Sequence, residues 1–270
     1  MDGLRLATFN LLHGISLQTG QAGGDELRAA VRELAPDVLG LQEADFRQDR
    51  SGGVEQVRAA AEELGAADWR FVPSLVGTPG LTRTWRPATE ADADGTAAAY
   101  GIGLVSRWPV VRWAEMRFSA APFRLPLLVP ANPRPRLVPV PDEPRAAVAA
   151  VVETPYGRVS VVTAHLSFVP GYNLRQLRRL ALWARAELPA PRVLLGDFNL
   201  PGPLPQRVTG WQRLARVATY PSYAPRVQFD HVLGDGLHGW QVGDVQAPRL
   251  AVSDHTGLVV QLVPAAPQTR

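Results

Sequence analysis

Residues 192–201 read RVLLGDFNLP. The apolar run Val193–Leu195 stops at a glycine and is followed at once by Asp197 and Asn199. A short apolar run bounded by turn residues reads as a buried strand whose polar end meets a loop. Asp197 and Asn199 stand at i and i+2, so they project the same way if the strand continues through them. Taken singly, an Asp or Asn at a strand end ordinarily starts a turn or caps a helix. Here the pattern recurs. LATFN ends at Asn10, VLGLQE ends at Glu43, and VSVVTAHLS carries His165 and Ser167. QFDHVL carries Asp230, and AVSDHTGLVV carries Asp254 and His255. In open α/β sheets, ligands lie beyond strand ends where loops from several strands converge.

The rest of the chain supplies the frame. Strands are expected at 4–9, 38–42, 69–72, 99–105, 110–118, 145–152, 158–164, 192–196, 229–233, 240–247 and 256–263. Leu27, Val31 and Leu34 follow Asp25, a candidate N-cap, at helical spacing, and Pro36 marks the end. Val54, Val57, Ala61 and Leu64 outline a second helix. Leu174, Leu177, Ala181, Ala184 and Leu188 form the strongest helical stripe, predicting a helix over 173–188. The pattern is mixed α/β, with no short repeat and no linker dividing the 270 residues.

Hydrophobic content of 46% rules out disorder as the main state. No run of about 18 apolar residues occurs, so no membrane-spanning helix is expected. The opening MDGLRLATFN has neither the basic start nor the apolar core of a secretory signal, which predicts a cytoplasmic protein. The absence of cysteine excludes disulfides, thiolate metal sites and a Cys nucleophile. The net charge is only +3, and the 28 basic residues are all arginine, so the high pI is weak support for nucleic-acid binding.

Residues 107–145 hold nine prolines, seven arginines and three acids. Proline blocks ladder hydrogen bonds, so 121–144 reads as an irregular excursion rather than sheet. It is either a plain surface loop or a substrate-facing lip whose arginines meet an anion.

The ordered set TFN, LQE, AHL, GDFN, DHVL and SDH resembles the endonuclease/exonuclease/phosphatase superfamily from residue 4 to about 263. The resemblance implies an α/β (α+β) fold: one domain over 1–270, a four-layer α/β sandwich of two mixed β-sheets packed face to face with helices outside. The excursion at 119–144 would project from it. It also implies roles. Glu43 would be the principal metal ligand, with Asn10 and Asp254 beside it, and Mg²⁺ or Mn²⁺ would suit this oxygen set. His165 would contact the scissile phosphate, protonated or as a donor, and Arg145 would be a phosphate-binding arginine. Asp197 would orient or deprotonate the attacking water, and Asn199 would bind a non-bridging oxygen. His255 would act at the phosphate, kept cationic by Asp230. A Ser253–Asp254–His255 triad is implausible, because adjacent strand residues point apart.

The implied activity is divalent-metal-dependent phosphoester hydrolysis, phosphodiesterase- or nuclease-like, with a phospholipid or small-molecule phosphoesterase as the alternative. For nucleic acid, Arg175, Arg178, Arg179 and Arg185 would line a backbone track. For lipid, Phe118, Phe123, Leu125, Leu127, Leu128 and Val129 would form an apolar lip. His231 stands where the deoxyribonuclease pattern places an arginine. A monomer is expected.

Overall fold

In chain order the strands are β1 (Leu4–Asn10), β2 (Val38–Phe46), β3 (Asp68–Gly77), β4 (Trp85–Pro87), β5 (Ala99–Ser106), β6 (Val110–Phe118), β7 (Arg124–Val129) and β8 (Arg136–Pro141). They continue as β9 (Arg145–Thr154), β10 (Gly157–His165), β11 (Arg192–Asp197), β12 (Gln212–Arg213), β13 (Asp230–Asp235), β14 (Trp240–Gln246) and β15 (Leu258–Pro264). The helices are α1 (Gly24–Leu34), α2 (Gln56–Leu64), α3 (Tyr172–Glu187) and α4 (Leu204–Thr209). This computed structural model describes residues 3–80, 84–93, 95–129 and 136–265.

One sheet has seven strands in the order β14-β15-β1-β2-β5-β3-β4, and the other has six, β12-β13-β11-β10-β9-β6. Both are mixed: β1 runs parallel to β2 and β10 parallel to β11, while the other pairs are antiparallel. Their facing sides share one apolar core, in which Leu6, Val38 and Leu104 meet Val148, Val161 and Leu195. A second core lies under α1 and α2, where Leu27, Val31 and Val57 cover Leu39 and Leu41. A third lies under α3 and α4, where Leu177, Leu180 and Ala184 cover Val162 and Leu194. The result is the four-layer sandwich.

The sheets meet tightly at Gly40. A Cβ there would strike Leu195 Cδ1 and Thr163 Oγ1 of the opposite sheet. Beside it, Gln42 donates to Thr163 Oγ1 at 2.9 Å and accepts from Thr8 Oγ1 at 3.1 Å, so the buried amide is satisfied across the interface. Gly40→Val is expected to destabilise the chain by roughly 1–3 kcal/mol or more through overpacking, read from the urea midpoint.

Three expectations need correction. Asp25 does not cap α1; the N-cap is Gly23, and Asp25 lies inside the first turn. There its charge still favours the helix N-terminus. The excursion is not irregular throughout, because β7 and β8 pair as an antiparallel ribbon. Pro126 faces Pro139, and Pro141 faces Arg124 two positions away in register. All three prolines thus fall on the alternate, non-hydrogen-bonded positions of the ladder, where no N–H is needed. Finally, β11 stops at Asp197, so Asn199 is not on the strand.

Of the six residues expected to form an apolar lip, Phe118 does not take part. Phe118 is only 3% exposed and packs in the core under α3. Phe123, 50% exposed, stands edge-on to Tyr172. The side chains of Leu127, Leu128 and Val129 lie outside the described residues. Among the described residues, no helix is long and apolar enough to cross a membrane.

Candidate active site

Strand register gathers the polar strand ends. His165 is paired with Asp197 across β10–β11, and Asp197 with Asp230 across β11–β13. Three chemical residues therefore stand in one row at the end of the six-stranded sheet. Asn10 is paired with Gln42 at the matching end of the other sheet, which brings Glu43 alongside. Arg145 opens β9 next to β10, and the loop before β15 delivers Asp254 and His255.

Local backbone departures aim the side chains. Glu43 has φ +55° inside a register shift between Leu41 and Ala44, a bulge that re-aims it out of the β2 alternation. Gly196 has φ +142°, and a Cβ there would strike the Ala164 carbonyl, so the residue before Asp197 must be glycine. Asn199 is left-handed at φ +51°, and its N–H donates to Asp197 Oδ1 at 2.9 Å. Convergence of Asp197 and Asn199 thus comes from a turn, not from strand periodicity. Ser253, at φ +78°, donates its hydroxyl to the Asn10 carbonyl at 2.6 Å and accepts from the His255 N–H at 3.0 Å. That hydroxyl is structural, and no Ser–Asp–His triad forms.

The site divides electrostatically into a cationic and a neutral histidine. His255 Nδ1 lies 2.8 Å from Asp230 Oδ2, and its Nε2 lies 3.8 Å from Asp197 Oδ2. Burial opposes a charge on His255, but Asp230, Asp197 and Asp254 outweigh it and push the imidazole up to about 10. Burial raises Asp197 to about 7, opposed by His255 and helped by Asp230. His165 differs. Burial, then the charges of Arg145 and His255, hold it well below its ordinary value. Arg145 Nη1 stands 3.0 Å from its Nδ1, and Asn199 Nδ2 stands 3.3 Å from its Nε2. A neutral ring has a single lone pair and accepts from one of these donors only, and burial with the two neighbouring charges disfavours the protonated alternative expected for His165. Glu43 and Asp197, at 3.9 and 3.8 Å, are beyond hydrogen-bond reach of it.

Two residue sets bear on a cation. Asp197, Asp230 and His255 lie close enough to offer one ligand atom each. His255 Nδ1 is already engaged by Asp230, however, and a cationic imidazole has no lone pair to give. This set fits a carboxylate–imidazolium relay better than a cage. The second set is Glu43 and Asp254 beside Asn10. Burial, then the Glu43 charge after the opposing His255, raises the Asp254 carboxyl, so anionic oxygens crowd this point. Hard oxygens in mutual repulsion fit a divalent cation. Asn10 currently donates its amide to Glu43 Oε1 and Asp197 Oδ2, both at 3.0 Å, while its oxygen accepts from Leu12 N.

Glu43, Arg145, His165, Asp197, Asn199, Asp254 and His255 line a cavity of about 440 Å³ that also holds His13, Arg50, Tyr100, Glu143, Phe168 and Tyr220. None of these six was legible as a site residue. Glu143 alone carried a signal, since it adjoins Arg145 in DEPR. Asp142 also escaped notice. Buried, it accepts from Ser167 Oγ at 2.8 Å and the Ala121 N–H at 2.7 Å, which ties the excursion to the Arg145 wall. The expected arginine track is partly occupied: Arg185 pairs with Asp235 at 2.9 Å, and Arg179 lies over Phe118.

His231, next to Asp230 but pointing the other way, is fully buried, stacks on Phe198, and meets the Leu200 carbonyl at 2.8 Å. It brackets the Asn199 turn from beneath. Burial, against the Leu200 hydrogen bond, pulls it down to about 4. Between that value and ~6.5 the unfolded chain binds a proton that the folded chain refuses, so stability falls as pH drops through this window. Between pH 6.5 and 4.5, wild type is expected to lose roughly 2–3 kcal/mol more than His231→Phe in urea unfolding. Equal losses would remove the argument.

The profile of the Endonuclease/Exonuclease/phosphatase family matches residues 7–255. No curated protein sequence matches the chain. Among solved structures, an endonuclease/exonuclease/phosphatase from Beutenbergia cavernae superposes with TM-score 0.66 at 20% identity, covering 100% of this chain and 74% of that one. A mannosyl-6-phosphatase from Bacteroides thetaiotaomicron gives 0.60 at 15% identity, covering 96% and 99%. Sphingomyelinase C from Streptomyces griseocarneus gives 0.57 at 16%, covering 97% and 99%. At such identities the structures share the fold alone, while the profile spans nearly all the sequence that builds the two sheets and the cavity between their ends. The chain belongs to the endonuclease/exonuclease/phosphatase family.

Proposed function

We propose that this chain is a divalent-metal-dependent phosphoester hydrolase. The observation that carries the reading is the row Asp230–His255–Asp197, in which a buried imidazolium faces a raised carboxyl across 3.8 Å inside the cavity. Asp197 orients the attacking water and takes its proton. The water oxygen bonds to phosphorus, the ester P–O bond breaks, and the leaving oxygen takes a proton from solvent. His255, Asn199 and Arg145 donate to the non-bridging oxygens as charge develops. Neutral His165, held by Arg145 and Asn199, contacts the phosphate without adding charge. Glu43 and Asp254, beside Asn10, would hold Mg²⁺ or Mn²⁺, which when bound neutralises phosphate charge.

The cavity favours a small phosphoester over a nucleic-acid strand. Its volume of about 440 Å³ suits a small ester, and the arginine track expected for a nucleic-acid strand is partly occupied, Arg185 by Asp235 and Arg179 by the Phe118 ring. The solved mannosyl-6-phosphatase and sphingomyelinase C make small and lipid phosphoesters reasonable classes. The test is a hydrolysis panel with Mg²⁺ or Mn²⁺, containing DNA, RNA, sphingomyelin, sugar phosphates, and p-nitrophenyl mono- and diesters. EDTA and Asp197→Ala should each abolish phosphate or leaving-group release. Silence on every ester, with a folded protein and metal present, would overturn the reading.

A further inference from the structure

A second group of residues lines the same cavity, and none of its charges is among those that shift His255. The group comprises Glu143, Tyr100, Arg50 and His13, with Pro79 and Gly80 as wall. Glu143 and the Tyr100 hydroxyl hydrogen-bond to no described residue, although the tyrosine is only 6% exposed. Burial, then the Glu43 and Glu143 charges, pushes the phenol well above its ordinary value, which keeps it a donor. Burial, then Arg50, lowers His13, so its ring is neutral and carries both a donor and an acceptor. Arg50 is held in place by Asp45, through Nε at 2.9 Å and Nη2 at 2.7 Å. The Asp45 carboxylate is itself fully buried. The guanidinium also lies over the Tyr100 ring, 5.6 Å from its centroid.

This subsite mixes acceptors and donors at close quarters. A hydrocarbon chain would leave Glu143, the Tyr100 hydroxyl and the His13 ring unpaired, at the desolvation cost of each, while Arg50 keeps Asp45. A quaternary ammonium offers no N–H to Glu143 and would face Arg50. A second phosphate would meet Glu143 and Glu43. Stacking of a flat base is blocked on the Tyr100 face that Arg50 covers, and Phe168 is engaged by Arg145 at 6.0 Å. A hydroxyl group both donates and accepts, and several of them on one small frame would satisfy the set together. The volume of about 440 Å³ lies within the ~300–1,000 Å³ span of small-molecule sites.

We propose that the Glu143–Tyr100–Arg50–His13 group in the cavity receives a hydroxyl-rich leaving group, so that the substrate is a phosphorylated sugar or other polyol. This deepens the phosphoester reading and rests on it for the orientation of the phosphate toward Arg145 and His255. Hydrolysis would release the free polyol and inorganic phosphate, water supplying the atoms of both new O–H and P–O bonds.

Calorimetric binding tests it. Glucose 6-phosphate, myo-inositol 1-phosphate and glycerol 3-phosphate are compared with n-hexyl phosphate in the presence of Mg²⁺, in an Asp197→Asn background that keeps the esters intact. At least one polyol phosphate should bind ~10-fold or more tightly than n-hexyl phosphate, as expected for one or two hydrogen bonds to a charged group. Glu143→Gln should bring that ratio to about 1. Tyr100→Phe, which deletes one hydroxyl, should lower it several-fold and serves as the second variant. Equal or tighter binding of n-hexyl phosphate, or a ratio unmoved by both substitutions, would overturn the proposal. Retained polyol preference with no hydrolysis of any ester by the unsubstituted protein would instead strike the enzyme reading and leave the subsite assignment standing.

Discussion

His255→Ala is expected to lower phosphoester turnover at least ~10²-fold while the chain stays folded. Among the described residues, the imidazole is the only cationic group in contact range of both Asp230 and Asp197, at 2.8 and 3.8 Å. Removing it takes away a donor to the developing phosphate charge and leaves two buried carboxylates facing each other across the β11–β13 register. Asp230→Asn separates these effects. It preserves shape but deletes the charge that, against the cost of burial, does most to keep His255 protonated. His255 should then lose its proton at a lower pH than in wild type, and the alkaline limb of the pH–rate profile should move in the acid direction. Initial rates on p-nitrophenyl esters from pH 5 to 10 would show both. A folded His255→Ala protein with its rate intact would remove His255 from the reaction.

Arg145→Met should have the largest effect on stability, roughly 3–5 kcal/mol in urea unfolding, because it breaks a buried charge cluster by removing one partner. Arg145 is 4% exposed and stands 3.7 Å from Asp142, which is itself buried. Burial disfavours its charge, yet Glu143, Tyr100, Asp142 and Glu43 reverse that and raise it further. The substitution leaves Asp142 without its ion-pair partner and removes the larger of the two arginine charges, Arg145 and Arg50, that oppose the burial of Glu143. Adding Asp142→Asn to Arg145→Met should recover part of the loss, whereas a simple packing defect would not respond to it. Activity should fall as well, since Arg145 Nη1 sets His165 at 3.0 Å. A change below ~0.5 kcal/mol would show that solvent reaches this cluster and screens it.

The strand and helix frame was legible because buried strands and amphipathic helices write their period directly into apolar spacing. The stripe from Leu174 to Leu188 became α3, and RVLLG became β11. The ribbon β7–β8 was not legible, because proline opposes sheet pairing in general and only the register puts Pro126, Pro139 and Pro141 in the one ladder class that tolerates it. The same limit applied to Asn199. Strand alternation suggested that it would point with Asp197, and it does so only through a left-handed turn.

By itself the sequence determined that Asn10, His165, Asp197 and Asp230 stand at strand ends, and it picked out Glu43, Asp254 and His255, which the structure places instead at a bulge inside β2 and in the loop before β15. That follows because each apolar run terminates where its first polar side chain can reach a loop or solvent. Their ionisation was decided only by tertiary structure. His165 and His255 are chemically identical in the chain, yet burial and the charges of Arg145 and His255 keep one neutral, while Asp230 and Asp197 overcome burial to keep the other charged. The same holds for the second group in the cavity. His13, Arg50, Tyr100 and Glu143 come from four separated segments with no shared local pattern, and only the packing of the two sheets sets them around one space. A charge acts through distance and dielectric, and both are properties of the folded arrangement rather than of sequence order.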